Sequence, residues 1–286
     1  MSDQYAASPD GRIYVEQQGQ GADMLVLPVP WGMSHDFYQA LLEPLQLPVR
    51  RIYFDPLGTG RSGPLPSQWR PESILDQAAT VLHHLGIRQP LVFGHAAAGF
   101  LALAYALEHA GELSGLVLVN AFASYTRADA LGTPLLETNP GWTRFRRRVA
   151  EIQRVDLTPT EKFRSIYKEQ RAVDVLDHDR HYVTMAAAAD QSDFNPEMFE
   201  NRDRDLLEEL DRIETPTLVV AGLHDALSPA AESRLIAGAL PYVRLLEFGS
   251  SRHFPFLEEP DAFREAVTAF IRDVGVIPPT SVVSSD

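Results

Sequence analysis

Short apolar runs alternate along the chain with longer stretches in which apolar and polar residues recur at helical spacing. The runs are rich in β-branched and aliphatic residues and lie at 24–27, 51–54, 91–93, 115–119, 217–221 and 243–248. Their continuous apolar character is typical of strands that are buried on both faces. Because such strands alternate with amphipathic stretches, we predict an α/β fold with a mainly parallel central sheet flanked by helices.

One of the intervening stretches has a clear helical pattern. Residues 71–85 begin with Pro71, which suits a first helical turn, and apolar residues then recur at the spacing of one helix face. These apolar residues are Ile74, Leu75, Ala78, Val81, Leu82 and Leu85. Gly86 follows directly, and glycine commonly ends a helix. We therefore predict a helix over 71–85 that ends at Gly86.

The pattern changes between residues 124 and 210. This segment has no convincing buried strand, and its charged stretches at 171–189 and 203–213 have helical character. Because the strand pattern resumes at Thr217, a helical insertion between two core strands explains the segment better than a separate domain does. We interpret 124–210 as a helical cap over a binding site.

These boundaries divide the chain into a core and two additions. Residues 1–123 and 211–275 are predicted to form the core, which the cap at 124–210 interrupts. The last stretch, 276–286, contains two adjacent prolines and several small polar residues. Such a composition cannot bury much apolar surface, so we predict a flexible tail there.

Composition and charge narrow the class of protein further. The chain has 286 residues, of which 45% are hydrophobic, enough for a sizeable core. Its formal net charge of −14 argues against nucleic acid or an anionic membrane surface as a partner. The absence of cysteine excludes thiolate metal sites and a cysteine nucleophile. No apolar run is as long as a membrane span and no signal-peptide pattern opens the chain, so a cytoplasmic protein is expected.

The segment most informative about chemistry follows the predicted strand at 91–93. A strand, a turn of small residues around Ala96 and a helical run over 101–109 succeed one another there. This is the layout of a nucleophile elbow, a strained turn that raises the side chain of its central residue above the sheet. Because Ala96 has no hydroxyl, the segment by itself is equally compatible with an ordinary turn between a strand and a helix.

Two later loops supply an acid and a base. Asp225 follows the strand at 217–221, and a carboxylate in such a loop can orient an imidazole and stabilise its charged form. His253 follows the strand at 243–248 and supplies that imidazole. Ala96, Asp225 and His253 thus follow one another in the order of a nucleophile, an acid and a base. Three matches in order, each after a predicted core strand, make coincidence a poor explanation.

The chain resembles the α/β-hydrolase superfamily, and within it the prolyl-iminopeptidase-like branch. The resemblance extends over about residues 13–271 and is weakest in the cap. Besides the elbow, it rests on Gly32-Met-Ser-His-Asp-Phe-Tyr38, Tyr53-Phe-Asp-Pro-Leu-Gly-Thr-Gly-Arg-Ser62, Leu85-Gly-Ile87 and His253-Phe-Pro-Phe-Leu-Glu-Glu-Pro260. It implies an α/β-hydrolase fold and hydrolysis of peptide, amide or ester bonds without a cofactor, by a serine at the position of Ala96.

Two departures from the family pattern bear on the chemistry. A methyl group at Ala96 cannot attack a carbonyl, so this chain lacks the route through an acyl-enzyme. The loop at 28–32 reads Pro-Val-Pro-Trp-Gly, where the family commonly has His-Gly-Gly-Pro-Gly. The resemblance implies that this loop and Ala97 each offer a backbone N–H to an oxyanion. A gapless alignment places the loop donor at Pro30, which has no N–H, whereas a shift of one residue places it at Trp31.

The sequence leaves two explanations of Ala96 open. An engineered or otherwise simple loss of the serine accounts for Ala96 alone, whereas natural redirection of the site accounts for both Ala96 and the altered loop. In the first case the protein is a serine hydrolase that has lost its nucleophile. In the second, His253 and Asp225 remain as a general-base pair for proton abstraction, elimination, cyclisation or direct activation of water. A small-molecule-binding protein without turnover is a third interpretation.

The remaining site predictions concern the pocket and its contents. We expect aromatic and ring side chains to line a largely apolar pocket for a small molecule or a short peptide. The candidates are Trp31, Phe37, His95 and Trp142. No cofactor is expected. The run Asp177-His-Asp-Arg-His181 contains potential metal ligands, but no further ligand motif accompanies it, and we predict no metal site. Nothing in the sequence indicates an oligomeric state.

Overall fold

Eight strands form one sheet in a computed structural model that describes residues 4–198 and 204–275. In chain order they are β1 (Gln4–Ser8), β2 (Gly11–Gly19), β3 (Ala22–Val26), β4 (Val49–Phe54), β5 (Leu91–His95), β6 (Gly115–Val119), β7 (Thr217–Gly222) and β8 (Val243–Phe248). Their order across the sheet is β1-β2-β4-β3-β5-β6-β7-β8. The predicted tail at 276–286 lies outside the described residues.

The parallel part of the sheet confirms the prediction from the apolar runs. Strands β3 to β8 overlap the six runs and pair with one another in parallel. Every residue of the central strands β5, β6 and β7 is buried, because helices cover the sheet. The carboxyl ends of these strands therefore lie at one edge, where the loops that follow them meet.

The sequence pattern does not predict the first two strands. β1 and β2 form an antiparallel hairpin, and β2 also pairs antiparallel with β4. In β2 only Ile13, Tyr14 and Val15 are buried, and half-exposed polar residues follow them. This hairpin lies at the edge of the sheet, so its strands have no continuous apolar run to reveal them.

Ten α-helices lie within the described residues. They are α1 (Asp36–Leu42), α2 (Ser73–Leu85), α3 (Ala97–Glu108), α4 (Tyr125–Thr138), α5 (Pro140–Gln153), α6 (Pro159–Asp174), α7 (His178–Gln191), α8 (Ala230–Ala239), α9 (Pro255–Glu258) and α10 (Pro260–Asp273). The predicted helix over 71–85 is α2, which ends at Gly86 with a φ of 69°. No helix in this part of the chain has both the length and the apolar content needed to cross a membrane.

Helices α4 to α7 occupy the segment between β6 and β7, for which we keep the name cap. Its helices differ in detail from the predicted ones. The stretch 171–189 is not one helix, because Val175 is extended and the Asp177 side chain accepts from the Arg180 N–H to begin α7. In the stretch 203–213, of which the structure describes 204–213, the helical residues form a short 3₁₀ helix, Leu207–Arg212.

Candidate active site

Ala96 lies in the tight turn between β5 and α3. Its φ of 53° and ψ of −120° are values that residues with a side chain rarely adopt. Small neighbours make the turn possible. A Cβ on Gly94 would lie 2.5 Å from the Ala98 carbonyl oxygen, and one on Gly99 would lie 2.5 Å from the Cβ of Ala121. The chain therefore has the strained turn of a nucleophile elbow, although the side chain at its centre is a methyl group.

His253 and Asp225 form a buried hydrogen-bonded pair. His253 Nδ1 lies 2.8 Å from Asp225 Oδ2. The other oxygen of Asp225 accepts from the N–H of Leu227 at 2.8 Å, so the carboxylate is held in place. Because an ionised carboxylate can only accept, the ring proton is on Nδ1 and Nε2 is the basic nitrogen. The two loops predicted to supply an acid and a base thus bring these side chains together.

The backbone of His253 is held from two sides. Its N–H donates to the carbonyl oxygen of Asp174 in the cap at 2.9 Å. Its carbonyl oxygen accepts from His95 Nε2 at 2.7 Å, because a carbonyl has no proton to give. In a neutral His95 ring, Nδ1 then accepts from the Tyr38 hydroxyl at 3.0 Å. His95 therefore positions the loop that carries the base.

Asn120 adds a third support for this loop. Its side chain donates to the Arg252 carbonyl oxygen at 2.7 Å and accepts from the Gly222 N–H at 2.7 Å. Asn120 follows β6 with a φ of 45°, a conformation that asparagine tolerates better than most residues. The loops after β6 and β7 therefore fix the residue that precedes His253.

A Gly222→Ala substitution is expected to destabilise the protein by about 1–3 kcal/mol through overpacking. The new Cβ would lie 2.0 Å from the Arg252 carbonyl oxygen and would push it away from Asn120. The matched control is Gly238→Ala in helix α8, where a new Cβ meets nothing within 4 Å. Thermal unfolding should give a lower melting temperature for the first variant and an equal or higher one for the second. Equal melting temperatures for the two variants would contradict this packing argument.

A cavity of about 290 Å³ lies beside Ala96 and His253. Of the predicted lining residues, Trp31, Phe37 and His95 border it. Trp142 does not: it is half-buried in α5 and stacks on Phe145 with ring centroids 5.3 Å apart. The expectation for Trp142 is therefore wrong, because the direction of its side chain follows from packing within the cap.

The cap supplies a wall of the cavity that sequence reasoning missed. Phe163, Ile166, Tyr167 and Gln170 border it from α6, and Tyr125 and Asp129 border it from α4. Side chains four residues apart on a helix share a face. The pairs at 163 and 167 and at 125 and 129 have this spacing, which is the one signal that could have found them.

The predicted oxyanion donors lie next to the cavity or border it. Ala97 is the first residue of α3, so its N–H has no acceptor within the helix. Val29 and Trp31 border the cavity, whereas Pro30 between them does not. This arrangement favours the shifted alignment, in which Trp31 replaces Pro30 as the loop donor. The catalytic roles of Ala97 and Trp31 stay predictions.

Metal ligands do not cluster in the part of the chain that the structure describes. No group of three or more histidine, aspartate or glutamate side chains there is placed to hold an ion. The side chains of His178 and Asp179, which belong to the run considered above, lie outside the described part. His181 is buried, and burial is the main cause that lowers its pKa, with the charge of Arg180 adding to it.

The strand order and the elbow define an α/β protein whose candidate catalytic groups lie at the carboxyl ends of parallel strands. Comparison with known families gives the same class. The family model described as "alpha/beta hydrolase fold" matches residues 25–260, and the chain belongs to this family. The α/β-hydrolase fold expected from the sequence is thereby confirmed.

The relatives of the chain include proteins named as hydrolases of different substrates. "Putative carbamate hydrolase RutD" of Pantoea ananatis is 28% identical over 254 residues, covering 86% of this chain and 87% of the relative. The pimeloyl-(acyl-carrier protein) methyl ester esterase of Yersinia enterocolitica is 26% identical over 264 residues, covering 91% and 97%. The crystal structure of proline iminopeptidase from Mycobacterium smegmatis has a TM-score of 0.70 and 21% identity, covering 96% and 98%. At that identity, the structural likeness establishes the fold alone.

Proposed function

We propose that the protein is a cofactor-independent hydrolase in which the His253–Asp225 pair activates water to cleave a small ester, carbamate or amide. The observation that carries this proposal is the 2.8 Å hydrogen bond that orients His253 in the wall of the cavity beside Ala96. In a serine hydrolase the serine hydroxyl donates to the basic nitrogen. The methyl group of Ala96 cannot donate, so in this proposal a water molecule takes the place of the serine hydroxyl at His253 Nε2.

The reaction requires two proton transfers. His253 Nε2 takes a proton from water while the water oxygen attacks the carbonyl carbon, and Asp225 stabilises the imidazolium that forms. The negative charge then resides on the former carbonyl oxygen, for which the N–H groups of Ala97 and Trp31 are the proposed donors. When the intermediate collapses, Nε2 returns its proton to the leaving group. No covalent bond to the protein forms at any step.

The names of the relatives and the cavity support the class of substrate. The two relatives are named for carbamate and ester cleavage, so we place esters and carbamates first and aminoacyl amides, the substrates of the iminopeptidase-like branch, next. Aromatic and aliphatic side chains form most of the lining, and neither lysine nor arginine borders the cavity among the described residues. We therefore propose a small, largely apolar substrate without a large anionic group. A cytoplasmic location remains a prediction.

The first experiment is a hydrolysis assay with p-nitrophenyl esters, lactones, aryl carbamates and aminoacyl amides. We expect steady turnover with no burst of p-nitrophenol, because no acyl-enzyme accumulates. Hydrolysis in ¹⁸O-labelled water should label the acid product both when water attacks directly and when it attacks an acyl-enzyme. The absence of a burst is therefore the result that distinguishes direct attack from the acyl-enzyme route. Silence across the whole panel would contradict the proposal and leave non-hydrolytic proton transfer or ligand binding without turnover.

Non-hydrolytic proton transfer is the second candidate, and the altered loop favours it. Both features that the family uses for acyl transfer differ here, since Ala96 has no hydroxyl and a gapless alignment places the loop donor at Pro30, which has no N–H. A base without these features still removes a proton from a carbon acid. Exchange of substrate C–H for deuterium without hydrolysis, catalysed by the protein and lost in His253→Ala, would identify this chemistry.

A further inference from the structure

Glu258, the last residue of α9, joins the cap to the loop that carries His253. Its Oε1 accepts from the N–H of Leu176, between α6 and α7, at 2.7 Å. Its Oε2 accepts from the N–H of Arg252 at 2.8 Å and from that of Phe254 at 3.4 Å. One buried carboxylate thus accepts from the N–H groups of both residues next to His253 and from the N–H of Leu176, which lies between two cap helices.

Further contacts connect the same two segments. The guanidinium of Arg252 donates to the carbonyl oxygens of Val173 and Val175 at 3.3 and 3.1 Å. The N–H of His253 donates to the Asp174 carbonyl oxygen. Residues 175–177, which we call the α6–α7 break, thus lie beside the loop 251–254. Because α6 also lines the cavity, a displacement of the break would move the cap wall relative to the base.

The contacts of Glu258 require a carboxylate rather than any polar side chain. All three partners are N–H donors, and together they approach both oxygens. Only the ionised form offers acceptors on both atoms without a proton of its own. A glutamine must turn its NH₂ group toward the N–H of either Leu176 or Arg252, so that two donors face each other. A protonated glutamate likewise points its O–H at one of these two N–H groups.

We propose that Glu258 is a positioning residue whose ionised carboxylate fixes His253 relative to the cap wall of the cavity. This inference rests on the proposed function, in which His253 is the general base. The carboxylate touches neither the cavity nor the reacting atoms, since it is not among the residues that border the cavity. It acts through the backbone of Arg252 and Phe254.

The surroundings of Glu258 make this positioning dependent on pH. Burial raises the pKa of Glu258 to about 7, the charge of Asp225 adds to the rise, and the three N–H donors oppose it. The other charged or titratable groups on the adjoining segments are Asp174, Asp177, Arg252, His253 and Glu259. As the pH falls through this value the carboxyl gains a proton and one of its two acceptor sides is lost. Positioning is therefore strongest well above pH 7 and weakens as the pH falls through this value.

The test compares Glu258→Gln with Glu259→Gln in the full-length protein. Glu259 is the matched control because it accepts from the Ser250 N–H and the Ser251 hydroxyl in the same loop, with no described contact to the cap. We expect kcat of Glu258→Gln to fall about tenfold to a hundredfold, the effect of a base displaced by a fraction of an ångström to 1 Å. Glu259→Gln should change kcat less than threefold.

The pH profile separates positioning from general support. In the parent protein both His253 and Glu258 must lose a proton to reach full activity, so the acid limb of log kcat/KM should have a stretch steeper than one unit per pH unit. In Glu258→Gln one of these protons is absent and the limb should have unit slope. In Glu259→Gln the limb should stay steep. A steep limb in Glu258→Gln would overturn the proposal.

Amide hydrogen exchange measures the coupling without any activity. Exchange at 173–177 and 251–254, corrected for the intrinsic pH dependence, should be faster in Glu258→Gln, while the amides of β5 and β6 stay unchanged. Glu258→Asp keeps a carboxylate and should recover part of the protection, and a parent sample between pH 6 and 8 serves if Glu258→Gln does not fold. Exchange that is faster throughout the protein, or exchange that does not change at 173–177 and 251–254, would refute positioning. Loss of local protection in a protein without turnover would instead refute the proposed function and leave the coupling intact.

Discussion

Replacing His253 by alanine is expected to lower kcat by about a hundredfold to ten-thousandfold, the usual contribution of a general base. The imidazole is the group in the cavity wall that Asp225 orients at 2.8 Å, and alanine cannot take a proton from water. Aromatic and aliphatic side chains form most of the remaining lining, so binding of the substrate should change far less than its turnover. Steady-state kinetics will give kcat, and calorimetry with a non-hydrolysable analogue will give the dissociation constant.

Two companion variants make this result specific. Asp225→Asn keeps the shape of the acid but removes its charge, and the same change in a Ser-His-Asp triad lowers kcat by about ten-thousandfold. His224→Ala is the matched control, because the His224 side chain is exposed and, among the residues the structure describes, bonds only the Gly249 carbonyl oxygen, at 3.1 Å. It should keep nearly full activity. Unchanged turnover in His253→Ala would contradict both the hydrolytic and the non-hydrolytic proposals.

The sequence predicts the parallel sheet because burial on both faces demands a continuous apolar run. Strands β5, β6 and β7 meet this condition at every position. The hairpin of β1 and β2 escapes prediction, since an edge hairpin can expose polar residues on one side. The α6–α7 break is not predicted either. Asp177, the residue that caps the start of α7, lies within a run of charged residues whose pattern predicts a continuous helix.

The candidate site divides in the same way. Asp225 and His253 are identified from the sequence because each follows a core strand, and the fold brings the ends of those strands together. The cap residues that line the cavity are not identified from the sequence, because packing on the core decides which face of each cap helix points inward. Tyr167 lines the cavity and Trp142 does not, although both are aromatic residues in amphipathic cap helices.

The elbow itself bears on the two explanations of Ala96. Its positive φ costs about 1–3 kcal/mol at a residue other than glycine, and the surrounding contacts of Gly94 and Gly99 maintain it. A turn that no longer served the site would be free to relax as its neighbours changed. The intact turn keeps the Ala97 N–H at the start of α3 beside the cavity, which suits direct attack by water as well as an acyl-enzyme.

Serine at position 96 is the decisive substitution for these alternatives. In Ala96→Ser the backbone already has the conformation of an elbow, and the new hydroxyl lies beside His253 as a nucleophile with its base. We expect the variant to react with a fluorophosphonate probe and to release one equivalent of p-nitrophenol in a burst from an activated ester. The parent protein should do neither. Intact-protein mass spectrometry will detect the adduct, and stopped-flow absorbance will detect the burst.

The controls decide what the loop at 28–32 still does. Ala96→Gly accepts the positive φ but brings no nucleophile, and Ala96→Ser combined with His253→Ala has a nucleophile without its base. Neither should form the adduct. If Ala96→Ser also stays unlabelled, the oxyanion site lacks a working second donor, since the loss of one donor costs about a hundredfold to a thousandfold in rate. Pro30 would then be the reason, and the His253–Asp225 pair would serve proton transfer rather than acyl transfer.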